Sequence, residues 1–119
     1  LRDTQNDLAV EKQEISTADY RAQIRKTIDS LLTRDELLRE RIGLLQTEVA
    51  YQERRVENQR SRVELSTAPQ LTVDQLELEL QARRNTLQQT RADLFLNRLR
   101  LYRLIGEELS ELLERVYSD

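Results

Sequence analysis

The stretch "ELSTAPQLTVDQ", residues 64–75, decides the fold because it holds the one cluster of helix-breaking residues in the chain. Pro69, the only proline, has no backbone N–H and interrupts a helix. Thr72 is a favourable N-cap residue, and Gln75 follows at the spacing of a capping box. The sequence therefore predicts a helix over about 1–65, a tip over 66–71 and a second helix over about 72–117.

The composition predicts an all-α chain with few elements. The 119 residues include one proline and two glycines, and 34% of them are charged. Aromatic residues make up only 4% of the chain, so we expect burial along helix-to-helix contacts rather than in a thick core. A connection of about six residues between two long helices predicts an antiparallel hairpin, with 1–119 forming a single segment.

Several classes of function are disfavoured by what the chain lacks. Without histidine or cysteine it has none of the usual general bases, thiol nucleophiles or zinc ligands, so we expect neither an enzyme nor a metal or cofactor site. Interspersed charges with a net value of −3 do not indicate nucleic-acid binding. The chain shows neither a spanning apolar run nor the regions of a signal peptide, which suggests an excised segment of a longer protein.

Both predicted helices carry a long apolar stripe with the 3.5-residue period of coiled coils. On the first helix the stripe comprises Ile24, Ile28, Leu31, Leu38, Ile42, Leu45, Val49, Val56 and Val63, with Asp35, Gln52 and Gln59 in the remaining slots. On the second it comprises Val73, Leu76, Leu80, Leu87, Leu94, Leu101 and Leu104, with Arg83, Thr90 and Asn97 between them.

Each helix also carries a second apolar stripe well away from the first. On the first helix it comprises Leu37, Leu44, Tyr51 and Leu65, with Asn58 in the gap; on the second it comprises Leu78, Ala82, Ala92, Leu96 and Leu99, with Asn85 and Gln89. Two helices alone leave half of this surface in water. We therefore expect further helices to cover it, as in the wall of a closed helical barrel.

Three local features have two readings each. Near Ser16 the register of an earlier repeat changes, which indicates either a capping box or a stutter in a continuous helix; we favour the stutter. Gly43 marks either a close approach or a slight bend. Gly106 lies near the end of the second helix, and residues 107–117 either continue it or form a short separate helix.

Residues 59–106 resemble the periplasmic helical hairpin of TolC-like outer-membrane efflux proteins. The matching elements are Arg60 and Arg62 before the turn, "LTVD" at 71–74 after it, then Leu80, Arg83, Arg84, Leu87, Ala92, Asp93, Leu101, Leu104 and Gly106. Three departures are a serine at 66, where the family often has glycine, Thr72 in place of an acidic residue, and no β-strand sequence.

The resemblance implies one hairpin of a trimeric periplasmic tunnel that belongs to an outer-membrane protein and exports small molecules or proteins. Its tip would dock on the periplasmic adaptor of a pump, through Ser66, Thr67, Ala68, Pro69, Gln70, Leu71, Thr72 and Val73. Asp74 and Glu77 correspond to acidic residues that form the pore constriction in the family. Alternative functions are the hairpin of a periplasmic adaptor (membrane-fusion) protein, which Arg62, Leu65 and Thr72 loosely match, and a structural coiled coil.

Overall fold

In the computed structural model the chain is a helical hairpin. Helix α1 spans Arg2–Glu64 and helix α2 spans Gln70–Ser118, with a turn at Leu65 and Ser66 directly after α1. The structure describes the backbone of residues 2–66 and 69–118 and the side chains of 16–66 and 69–117. No strand occurs in those ranges, so the predicted all-α hairpin is confirmed.

Contacts divide the hairpin into a tip unit, residues 35–97, and a terminal unit, residues 1–34 with 98–119. In the tip unit the long stripes of the two helices face each other and will be called the inner seams. Buried aliphatic side chains form its core, with Ile42 packed against them: Leu45, Val49, Val56, Leu76, Leu80 and Leu87. Burial of each such side chain contributes about 1.5–3 kcal/mol, so the inner seams hold the tip unit together.

The polar slots of the inner seams behave in different ways. Thr90 and Asn97 are buried, and the Thr90 hydroxyl donates to the Thr86 carbonyl at 2.8 Å. The Gln52 side-chain oxygen is buried without a hydrogen-bond partner. Arg83 differs from the expectation, because its side chain is exposed and its guanidinium reaches Glu48 on α1 at 3.1 Å. A long flexible stem allows arginine to leave an apolar seam in this way.

Ion pairs across the hairpin show that the helices of the tip unit run antiparallel. Arg60 contacts Glu77 and, further from the turn, Glu53 contacts Arg84 at 3.1 Å. A step of seven residues back along α1 therefore matches a step of seven forward along α2. Exposed ion pairs of this kind add little to stability because water and salt screen them, so they indicate register more than they stabilise the fold.

In the terminal unit, Ile24 and Leu101 are buried and Ile28, Leu31 and Leu104 are half-buried, as their stripes predict. Arg21 lies 3.7 Å from Glu111 and Arg25 lies 3.6 Å from Glu108. Helix α1 is unbroken through Ser16, which supports the stutter, and α2 continues past Gly106 without a separate helix.

Gly43 has free space around it, which is contrary to the close-approach reading. A Cβ atom built there meets nothing within 4 Å, and the residue lies inside α1 with helical backbone. Glycine in a helix interior is less favourable than alanine because more backbone entropy is lost on folding.

Replacing Gly43 by alanine is accordingly expected to raise the free energy of unfolding by about 1 kcal/mol. Urea denaturation followed by circular dichroism measures the change. The matched control is the reverse change, Ala50→Gly, one heptad further along the same face of α1, which should lower stability by a similar amount. A destabilised Gly43→Ala variant would mean that the space at Gly43 is needed for a contact with another chain.

Candidate functional site

The chain turns directly after α1, at Leu65 and the left-handed residue Ser66. Leu65 donates its N–H to the Ser61 carbonyl at 3.1 Å, and Ser66 donates to the Val63 carbonyl at 2.9 Å. Ser66 has φ of 59°, the left-handed conformation that glycine commonly supplies after a helix C-terminus. The departure from glycine at this position therefore leaves the backbone conformation in place, and the serine carries a steric cost.

Helix α2 begins two residues earlier than expected. The Pro69 carbonyl accepts a hydrogen bond from the Thr72 N–H at 3.1 Å, and Gln70 is already helical. Thr72 thus lies in the first turn of α2 and is not its N-cap, so the expected capping box with Gln75 does not form at the helix start. Proline suits this place because its fixed φ is compatible with helix entry and its missing N–H needs no partner.

The residues predicted to dock at the tip differ in accessibility. Leu71 is 66% exposed, and Ser66, Pro69 and Gln70 are also exposed. Val73 is 1% exposed and belongs to the core of the tip unit, so its side chain supports the turn from below. Thr72 is half-buried, and the predicted residues Thr67 and Ala68 lie outside the described residues. Leu65, 75% exposed, adds a second large apolar side chain at the turn.

The two candidate pore residues lie one turn apart at the start of α2, with different neighbours. The Asp74 carboxylate accepts a hydrogen bond from the Gln70 side-chain amide at 3.2 Å, which leaves its negative charge uncompensated by that partner. The Glu77 carboxylate accepts from the Arg60 guanidinium, with Nε at 3.1 Å. This hydrogen bond, with the accompanying charge attraction, raises the pKa of Arg60.

Arg60 is a residue that the sequence reasoning did not assign to the candidate constriction. The heptad positions could have indicated this pair. Arg60 follows the inner-seam residue Gln59 on α1 and Glu77 follows the inner-seam residue Leu76 on α2, so both flank the inner seams on the same edge of the hairpin. The positive charge of Arg60 offsets the negative charge of Glu77, so Asp74 contributes the larger part of the negative field of these two carboxylates.

The second stripes, called the outer seams from here on, are exposed throughout the tip unit. On α1, Leu37, Leu44 and Tyr51 are 60%, 68% and 60% exposed; on α2, Leu78 is 72% exposed. Exposed apolar side chains are ordinary when scattered, but a row along one face indicates an interaction surface. Each helix of the tip unit thus buries one seam inside the hairpin and leaves another exposed.

The described residues offer little for other kinds of site. Within them, no cluster of three or more acidic, histidine or cysteine side chains is placed to bind a metal ion. No described helix is long and apolar enough to cross a membrane.

Replacing Ser66 by glycine is expected to stabilise the hairpin by about 0.5–1 kcal/mol, because glycine adopts the left-handed conformation without steric cost. Chemical unfolding of the chain measures this gain. The control Ser66→Ala keeps the steric cost and should leave stability within about 0.5 kcal/mol of the parent. Loss of stability in the glycine variant would argue that the serine side chain makes a contact that the turn requires.

Comparison with known proteins adds no family assignment. The chain matches no family model, no curated protein and no solved structure at a significant level. Function is therefore argued from the geometry of the hairpin and from the sequence pattern around its tip.

Proposed function

We propose that the chain is a tunnel hairpin of a TolC-like outer-membrane channel, part of a homo-oligomeric, trimeric duct in the periplasm that exports small molecules or proteins. The observation that carries this proposal is the pair of exposed outer seams, on the helix faces away from the buried inner seams. A helix in the wall of a closed helical barrel has a neighbour on both sides and needs both seams. A free-standing two-stranded coiled coil needs only one.

The tip supports docking on a partner such as the periplasmic adaptor of a pump. Leu65 and Leu71 project from the two ends of a short turn with most of their surface exposed. Large apolar side chains at the centre of a contact supply much of its binding energy. Val73, in the first turn of α2 next to these residues, is buried in the core of the tip unit.

The candidate constriction fits this arrangement because Glu77 lies between the two seams of α2. Successive helical residues are 100° apart, so Glu77 is one step from Leu76 on the inner seam and one step from Leu78 on the outer seam. Packing of both seams would leave this face open. Asp74, one turn nearer the tip, would give a second ring of carboxylates in an oligomer, which attracts cations.

Docking at the tip is tested by Leu71→Glu in the intact protein, expressed in the bacterium that carries it. A charge at this exposed position leaves the hairpin core intact but opposes an apolar contact. We expect at least a tenfold loss of adaptor co-purification and greater susceptibility to exported compounds. The control Gln88→Glu adds the same charge at an exposed position of α2 away from the tip and should change neither readout.

Unchanged adaptor capture and susceptibility in the Leu71→Glu protein would contradict docking by the tip. Recovery of the intact protein in the cytosol, or as part of the adaptor itself, would contradict the channel function as a whole. Recovery in the cytosol would favour the structural coiled coil, and recovery as part of the adaptor would favour the adaptor hairpin.

The constriction is tested by single-channel recording of the intact oligomer. Asp74→Ala and Glu77→Ala should each weaken block of the current by divalent cations, because each removes one negative charge per subunit. Arg60→Gln should act in the opposite direction and strengthen block, since it releases Glu77 from its cationic partner. Block that is unaltered by all three changes would place the constriction elsewhere.

A further inference from the structure

We propose that the outer seam of α1 in one copy of this chain packs against the outer seam of α2 in the next copy, side by side and at the same height. The proposal names the partner of the exposed seams and rests on the proposed function in that a wall of hairpins requires such a neighbour. Three properties of the tip unit support this contact: the register of the helices, the sizes of the seam residues and the charges beside them.

The ion pairs across the hairpin show the register of its two helices. Because Arg60 lies level with Glu77 and Glu53 with Arg84, Asn58 lies within one residue of the level of Leu78. One heptad further on, Tyr51 comes level with Asn85, and after another heptad Leu44 comes level with Ala92. In two copies that stand side by side at one height, each of these α1 residues would therefore lie opposite the named α2 residue of the neighbouring copy.

Residue sizes at the three levels are complementary between the two outer seams. Leu44 is large where α2 has Ala92, and Tyr51 is large where α2 has Asn85 beside Ala82. At the level nearest the tip the sizes reverse, with Asn58 on α1 and Leu78 on α2. Large side chains opposite small ones interdigitate at close helix spacing, as in well-packed cores.

The same sizes disfavour contacts between identical seams. Two α1 seams would oppose leucine and tyrosine to one another and hold the helices apart. Two α2 seams would oppose Ala82, Asn85, Gln89 and Ala92 to one another between Leu78 and Leu96, so that large apolar side chains would meet only at the two ends of this stretch and less apolar area would be buried. The favoured contact is thus heterologous: each copy offers one face to one neighbour and a different face to the other, so the contact propagates and closes into a ring where the rotation allows.

Charges beside the seams follow the same pairing. Exposed Arg41 and Arg55 flank the α1 seam, and the Arg55 guanidinium lies 5.9 Å from the centre of the Tyr51 ring. On the corresponding edge of the α2 seam lie Asp93 and Glu79, both exposed and each within about one turn of the level of its arginine. Opposite charges at matched heights orient the approach of two copies, although salt screens their contribution to affinity.

Disulfide trapping tests the proposal, because the native chain contains no cysteine. Chains carrying Leu44→Cys are mixed with chains carrying Ala92→Cys and oxidised; Asn58→Cys with Leu78→Cys forms a second pair. All four positions are exposed in the hairpin, so the variants should keep its circular dichroism spectrum. We expect each matched pair to form mixed dimers at least tenfold faster than either variant forms dimers with itself.

Two controls separate specific packing from random collision. Gln46→Cys replaces Leu44→Cys in the first mixture; Gln46 is exposed but about 200° round α1 from Leu44. Leu44→Cys mixed with Leu78→Cys tests the register. Leu44 lies level with Ala92, which is two heptads from Leu78 along α2, so these two cysteines would not meet. Both control mixtures should cross-link at the background rate.

Equal rates in all mixtures, faster dimers between identical variants, or no cross-linking above background would each overturn the proposal. None of these results would refute the channel function, because the neighbour in the wall would then be a different hairpin. Conversely, suppose that the 44–92 and 58–78 cross-links are selective while adaptor capture and susceptibility are unchanged in the Leu71→Glu protein. This contact between copies would then be retained, and the proposed function would be contradicted.

Discussion

The hairpin depends on one apolar seam per helix, in which an aliphatic residue recurs every 3.5 positions. Within the tip unit, Val56 and Val73 are almost fully removed from water, and the leucines around them fill the space between the two helices. Everything else at the tip follows from this contact. It fixes which faces of the helices point outward, it brings Arg60 to Glu77, and it supports the turn from below.

Much of the fold was predictable because its cause is local and periodic. Every slot of the α1 inner seam from Ile24 to Val63 is buried or half-buried, and the outer-seam residues Leu44 and Tyr51 are exposed, as their heptad spacing predicts. Periodicity determines which residues share a face. It does not determine where a long side chain ends, which is why Arg83 was placed in the seam although its guanidinium reaches Glu48.

The start of α2 and the partners of the candidate pore residues were less accessible to sequence reasoning. Thr72 is a better N-cap by type than Pro69, but a proline can precede the first turn at no cost in hydrogen bonds, and the helix starts there. The Arg60 to Glu77 contact joins residues 17 positions apart and depends on how the turn closes. Charge patterning along a single helix shows which edge of the seam a residue flanks, but not which residue of the other helix lies opposite it.

The short turn also has a mechanical consequence for the seams that it joins. Because aliphatic residues recur every seven positions, one helix displaced by a heptad along the other would meet nearly the same apolar surface. The polar slots of the seams, the ion pairs beside them and the five residues between Glu64 and Gln70 distinguish one alignment from the next. The short connection therefore limits how far one helix can slide along the other. A connection longer by several residues would permit such sliding, and the exposed side chains of one helix would then lie beside different residues of the other.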